Sequence, residues 1–179
     1  PALIRLFIRS KGQETEAGKI HKSANWKEYG QAIKKNWKLF LYLVLLMSMM
    51  NFISHGTQDL YPTFLQQQRH FDPHKTAVVT MISMVGAILG GLVFGYLSDK
   101  WGRRRMMALA VILAIIIIPV WMYNGGSFII ALGAFAMQFM VQGAWGVVPA
   151  HINELSPGAL RGFFPGFAYQ LGVLIASGI

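Results

Sequence analysis

The sequence has no cysteine and few charged residues, and both shortages narrow its possible functions. Without cysteine there is neither a disulfide bridge nor a thiolate-bound metal. The absence of cysteine does not indicate a cellular compartment. Only 13% of the residues are charged and 54% are hydrophobic, whereas a soluble domain carries about 25% charged residues. The composition therefore favours an integral membrane protein.

Motifs of the common enzyme classes are missing as well. The sequence has no phosphate-binding loop, no zinc-hydrolase helix and no nucleophile elbow, so we expect no enzyme and no bound cofactor. The segment RHFDPH holds His70, Asp72 and His74, but Pro73 indicates a turn there. A zinc site needs three or four convergent ligands. We therefore predict no metal site.

Apolar residues are concentrated in five stretches. They are Leu39–Tyr61, Thr76–Ser98, Met106–Met122, Phe128–Ala150 and a fifth from Phe163 to the last residue, Ile179. Crossing the hydrocarbon core takes about 20 helical residues, and the fifth stretch is short of that. A soluble helical core would show polar stripes, and the second stretch has none. We predict an all-α integral membrane bundle over 39–179, truncated in its fifth span.

The basic residues alternate between the segments that join these stretches. Of the 16 Lys and Arg residues, nine precede the first stretch, two follow it, four follow the second and one follows the fourth. The segments on one side of the membrane would therefore carry 14 basic residues and those on the other side 2. Segments rich in Lys and Arg stay on the cytoplasmic side. This pattern predicts a cytoplasmic N-terminus and membrane lipid as the partner. It does not indicate a nucleic acid partner, although the net charge is +9.

Residues 1–38 are predicted to form a cytoplasmic basic linker. Asn25 and Glu28 have capping-box spacing, and an apolar stripe from Trp26 to Trp37 lies beside lysines. This pattern is typical of an amphipathic helix on the inner membrane surface. A calmodulin target has similar chemistry and is the weaker alternative.

The first stretch carries a polar face where a lipid-exposed helix would be apolar. At about 100° per residue, the polar side chains share an arc of about 140°. They are Asn51, Ser54, His55, Gln58 and Asp59. Such a face must contact other helices or a water-filled cavity, and helix association alone is the simpler explanation. His55 and Asp59 are i, i+4 neighbours, so they are candidates to carry a proton.

Three glutamines in other stretches are further candidates for a polar passage. Gln138 and Gln142 are four residues apart in the fourth stretch, where they would either line a cavity or bond across helices. Gln170 is the strongly polar side chain of the fifth stretch. Two consecutive G-x-x-x-G pairs, Gly86–Gly90 and Gly91–Gly95, predict close packing of the second helix against a neighbour.

The segment GYLSDKWGRRR, residues 95–105, resembles a loop signature of the major facilitator superfamily of secondary transporters. NELSPGALRG, residues 153–162, is similar to that family's acidic-x-x-Pro-x-x-x-Arg segment. The resemblance implies a helical bundle equivalent to helices 7–11 of 12. It also implies a conformational charge cluster that locks and unlocks during alternating access. Its members would be Asp99, Arg103, Arg104, Glu154 and Arg161.

A narrower resemblance covers NFISHGTQDLYPT, residues 51–63, at seven specified positions. It is similar to N-x-x-S/T-H-x-S/T-Q-D-x-x-x-T, the signature of fungal lactate and monocarboxylate permeases in the sialate:proton symporter branch. The resemblance implies proton-coupled transport of lactate, pyruvate or acetate, with Asn51, His55 and Asp59 central to translocation. Protons would be the coupling ion, and a plasma membrane location is expected.

No Lys or Arg lies inside the five stretches, so we expect a missing N-terminal transmembrane half to supply the cation for a small carboxylate substrate. Other branches of the superfamily, which transport sugars, phosphate or sialate-like organic anions, are the alternative. A membrane enzyme that uses His55 and Asp59 as acid and base is a rival of another class. A receptor or scaffold that transports nothing is the third.

Overall fold

The computed structural model describes residues 26–123, 126–156, 161 and 163–177. Helices account for nearly all of these residues, and the described part of the chain contains no strand. The helices are α1 Trp26–Lys35, α2 Trp37–Ser54, α3 Tyr61–Gln67, α4 Pro73–Trp101, α5 Arg103–Tyr123, α6 Ser127–Leu155 and α7 Phe164–Ser177. A π-helical turn, His55–Asp59, joins α2 to α3.

Four helical segments are long and apolar enough to cross a membrane. They are Trp37–Gln67, Pro73–Trp101, Arg103–Met122 and Ser127–Leu155. The all-α membrane prediction is thus confirmed, with each span longer than its apolar stretch. The fifth stretch forms α7, which has 14 residues and is shorter than a crossing requires.

Close backbone contact between α4 and α6 organises the bundle. A Cβ atom on Gly90 would lie 2.0 Å from the Phe139 carbonyl oxygen, and one on Gly86 would lie 2.4 Å from the Phe135 oxygen. These two positions therefore accept only glycine at the present helix spacing. The predicted close packing is confirmed, and the neighbour is α6.

Glycine also allows close helix packing at two other helix contacts. Gly133 of α6 lies against the backbone of Trp121 in α5, and Gly172 of α7 lies against Met47 in α2. One apolar core joins α2, α4, α5, α6 and α7. It includes Leu43, Phe94, Ala110, Val147 and Phe164. The bundle thus has α6 near its centre, with α4 and α5 on it and α7 on α2.

Large apolar side chains also cover the outside of the bundle. Ile88 and Leu92 of α4 and Ile116 of α5 are each more than 60% exposed. A soluble protein rarely exposes such a continuous apolar surface. Contact with lipid chains accounts for it.

The N-terminal linker is described only in part. α1 occupies Trp26–Lys35 and is separated from α2 by Asn36 alone. Asn25 of the predicted capping box lies outside the described residues, as do residues 1–24. Pro157 of the second family-like segment lies outside them too.

Candidate translocation site

A π-helical turn interrupts the first span at the polar segment. The N–H of Leu60 donates to the His55 carbonyl at 3.1 Å, five residues back. Pro62 explains the interruption, because a proline ring clashes with the carbonyl four residues earlier, here that of Gln58. Such turns occur often at functional sites. A regular helix at about 100° per residue does not predict this turn, although Gly56 and Pro62 in the sequence were the available signal.

His55 and Asp59 form a hydrogen-bonded pair across this turn. The bond joins Nδ1 of His55 to Oδ2 of Asp59, so the predicted contact is confirmed. Their side chains are 46% and 60% exposed on the surface of the described bundle. In the described part of the chain, Nε2 of His55 has no hydrogen-bond partner. The pair is therefore assembled and accessible.

The side chains of Asn51 and Ser54 form no hydrogen bond with the side chains of this pair in the described part of the chain, although the His55 N–H donates to the Asn51 carbonyl. The amide of Asn51 is buried and donates to the Met47 carbonyl of its own helix at 2.8 Å. Ser54 is half-buried on the last turn of α2. The structure thus divides the predicted polar face into a buried part at Asn51 and an exposed part at His55 and Asp59.

Two glutamines of α6 bond to the π-helical turn. Nε2 of Gln142 donates to Oε1 of Gln58 at 2.8 Å, and Nε2 of Gln138 donates to the Thr57 carbonyl at 2.9 Å. Pro62, five residues after Thr57, has no N–H to close a π-type bond to that carbonyl. These glutamines therefore bond across helices, and they hold the turn against α6. Thr57 was not among the predicted site residues.

The third glutamine lies apart from this arrangement. Gln170 is exposed on α7, and α7 packs mainly against α2 rather than α6.

Nε2 of Gln138 is bonded, but its Oε1 is buried without a partner in the described chain. An acceptor buried in this way is costly unless a partner or water reaches it.

Arg103 connects three helices at the opposite end of the bundle, which we call the basic end because it carries residues 103–105. It contacts Oδ1 of Asp99 at 2.6 Å and Oε1 of Glu154 at 3.1 Å. Nη1 of Arg103 also donates to Oγ of Ser98, a buried hydroxyl, at 2.6 Å. The structure thus brings three of the five predicted cluster residues together and adds Ser98.

Arg104 and Arg161 have different neighbours. The guanidinium of Arg104 lies 5.7 Å from the ring centre of Tyr42 on α2. Nε of Arg161 donates to the Ser156 carbonyl at 3.4 Å. The Tyr42 hydroxyl also hydrogen-bonds to Nε2 of His151 at 3.2 Å. α2 and α6 are therefore joined at the basic end as well as at the π-helical turn.

The RHFDPH segment leads into α4. The Lys75 N–H donates to Oδ1 of Asp72 at 2.9 Å, which caps the helix. This backbone bond lowers the pKa of Asp72 below its ordinary value. Among the described residues, no three His, Asp or Glu side chains come close enough to hold a metal.

Comparison with known proteins identifies the family. The model of the Major Facilitator Superfamily matches residues 2–179.

The chain belongs to the Major Facilitator Superfamily.

Named relatives extend this superfamily assignment. The chain is 33% identical over 178 residues to the carboxylic acid transporter protein homolog of Saccharomyces cerevisiae, covering 97% of this chain and 29% of the relative. It is 27% identical to the cis,cis-muconate transport protein of Acinetobacter baylyi, over 80% of this chain and 35% of the relative. It is 25% identical to the sialic acid transporter NanX of Escherichia coli, over 96% of this chain and 43% of the relative.

This member of the superfamily thus spans less than half the length of each of these relatives. No solved structure matches the chain. Its four apolar helical spans and its superfamily membership make it part of an integral membrane protein.

Proposed function

We propose that the protein carrying this chain moves short-chain monocarboxylates, such as lactate, pyruvate and acetate, together with protons by alternating access. The observation that carries the proposal is the hydrogen-bonded His55–Asp59 pair at a break in a membrane-spanning helix. An ionisable residue within a membrane span is costly and is retained for function.

The chemistry of this pair supports the proposal of proton coupling. Imidazole is the side chain that changes charge near neutral pH. An imidazole and a carboxyl joined by a hydrogen bond place a proton donor and a proton acceptor side by side. Both side chains are exposed on the described bundle, and we propose that this face lines the passage for solute and water. A carboxylate that arrives with its proton can pass that proton to the pair.

The substrate class is supported by the relatives and by the neighbouring amides. The three relatives described above are named for carboxylic acid, muconate and sialic acid. Gln58 directly precedes Asp59 and accepts a hydrogen bond from Gln142, and amide N–H groups donate to carboxylate oxygens. We propose that the cation that neutralises the carboxylate comes from the rest of the protein, because the five apolar stretches of this chain contain no Lys or Arg.

Alternating access requires an element with two arrangements. The Arg103 contacts with Asp99 and Glu154 tie the start of α5 to the ends of α4 and α6. Breaking them in one state and forming them in the other would favour different helix arrangements. We propose this role for the cluster.

Uptake of labelled lactate tests the function. The full-length protein is expressed in cells without their own carboxylate permeases, and uptake is measured across external pH. We expect His55→Ala and Asp59→Asn to abolish uptake or its pH dependence. His74→Ala, an exposed histidine beyond the first span, is the control and should match wild type. Wild-type uptake and pH dependence in both site variants would contradict the role of the pair.

A further inference from the structure

A basic cleft lies at the corner where α4 turns into α5 and faces the end of α6. Its volume is about 440 Å³, and its walls include Trp101, Arg103, Arg104, Arg105, His151 and Glu154. Three arginines therefore converge on one small space with a single carboxylate in its wall. The proposed transport cycle assigns a role to Arg103 and Glu154 but leaves the rest of the cleft unexplained.

The charges in the basic cleft are not balanced. Arg103 forms ion pairs with both nearby carboxylates, those of Asp99 and Glu154. Arg104 and Arg105 are exposed and have no acidic partner among the described residues. Two fixed positive charges thus remain for a ligand, and the N-terminus of α5 adds a partial positive charge beside them.

Arg104 also lies beside an aromatic ring of α2. Its guanidinium lies 5.7 Å from the centre of the Tyr42 ring, and Tyr42 is itself hydrogen-bonded to the buried His151. A guanidinium that stacks through its flat face keeps its edge N–H groups free to donate. The same planar fork matches the oxygens of a phosphate group. The basic cleft therefore offers guanidinium donors that suit a phosphate, in addition to its positive charge.

Aromatic residues place the basic cleft at the level of lipid headgroups. Trp101 and Tyr96 are 60% and 61% exposed, and the Lys100 ammonium lies 4.6 Å from the Tyr96 ring centre. On α2, Trp37 is paired in the same way with Lys38. Exposed Trp and Tyr beside cations mark the membrane–water interface. A ligand in the cleft would therefore reach it from the bilayer.

We propose that the basic cleft binds the phosphate of an anionic phospholipid, with Arg104 and Arg105 as its donors. Basic pockets between membrane helices are suited to such headgroups. The exposed Trp101 gives the acyl chains an apolar wall, which a soluble phosphate would not use. The bound lipid would sit against the Arg103 contacts and join α5 to α6. This inference does not depend on which solute the protein transports.

The test measures thermal stability of the purified full-length protein during titration with short-chain phosphatidate. Dihexanoyl phosphatidylcholine and glycerol phosphate are titrated in parallel. The first lacks net charge and the second lacks acyl chains. We expect phosphatidate to raise Tm in a saturable way, and Arg104→Gln combined with Arg105→Gln to weaken its apparent affinity about tenfold or more.

The matched control removes two charges from α1, outside the basic cleft, through Lys34→Gln and Lys35→Gln. It should bind phosphatidate as wild type does. An equal loss of affinity in both double variants would show general surface attraction and overturn the proposal. Unchanged affinity in the arginine variant, or equal binding of phosphatidylcholine, would overturn it too. Equally tight binding of glycerol phosphate would make the ligand a soluble phosphate and reject the lipid.

Discussion

Gln138 shows how much one buried side chain determines at the candidate site. It is 2% exposed, and its amide donates to the Thr57 carbonyl in the π-helical turn. The turn presents His55 and Asp59 on its other side, so the position of the pair depends on a residue that contacts neither of them. Gln138 acts through the turn and is a positioning residue.

Replacing Gln138 with Leu should therefore weaken the join between α2 and α6. The Thr57 carbonyl would lose its donor from α6, and an unpaired buried acceptor costs about 1 kcal/mol or more. Thermal unfolding of the purified full-length protein measures this loss. Gln170→Leu, on the exposed side of α7, is the control and should stay within about 0.5 kcal/mol of wild type. Equal stability of the two variants would contradict the role of Gln138.

At the residue scale, local spacing predicted the His55–Asp59 contact because i, i+4 neighbours meet on any helix. The partners of Asn51 could not be predicted in the same way. Its amide bonds to the Met47 carbonyl, a choice that depends on what surrounds α2 in three dimensions. Arg104 contacts Tyr42 and does not join Arg103 in its ion pairs. This difference is also a tertiary effect, because it depends on where Tyr42 lies.

The contact between α4 and α6 is the most restrictive feature at the scale of helices. Gly90→Ala would place a methyl group 2.0 Å from the Phe139 carbonyl oxygen, so the two helix backbones would have to separate. We expect a loss of about 1–3 kcal/mol in stability, or failure to accumulate in the membrane. Thermal unfolding in detergent measures the loss.

Gly91→Ala is the matched control for this helix contact. Its added methyl group would lie 3.7 Å from the nearest atom, the Gln142 carbonyl oxygen, which is ordinary contact. Alanine also favours a helix over glycine by about 1 kcal/mol. Stability equal to or slightly above wild type is expected. If both alanine variants behaved alike, the Gly90 contact would not limit the helix spacing.

Helix positions followed from hydropathy, because a membrane span must satisfy its backbone internally and face lipid. The glycine spacing predicted that α4 packs closely, but not which helix it packs against. The helical wheel did not predict the π-helical turn. A wheel assumes the same rotation at every residue, whereas Pro62 disturbs the regular helix in this segment. Beyond His55, the predicted polar arc therefore no longer describes the helix.

The membrane topology is a property of the whole molecule and is directly testable. The charge alternation predicts that residues 68–72 face outward and that the basic end faces the cytoplasm. This chain has no cysteine, so single cysteines can be introduced in a protein otherwise freed of cysteine. Gln68→Cys should react with an impermeant maleimide on intact cells. Asn153→Cys should react only after permeabilisation, and the reverse pattern would invert the topology.

The most direct test of the whole account separates solute exchange from proton coupling in Asp59→Asn. The full-length protein is reconstituted in vesicles and assayed for lactate counterflow at equal pH and for lactate accumulation driven by a pH gradient. Asparagine keeps the size of the side chain and removes the titrating carboxyl. The account predicts that counterflow persists while gradient-driven accumulation is lost. Accumulation equal to wild type in this variant would contradict the claim that the His55–Asp59 pair carries the proton.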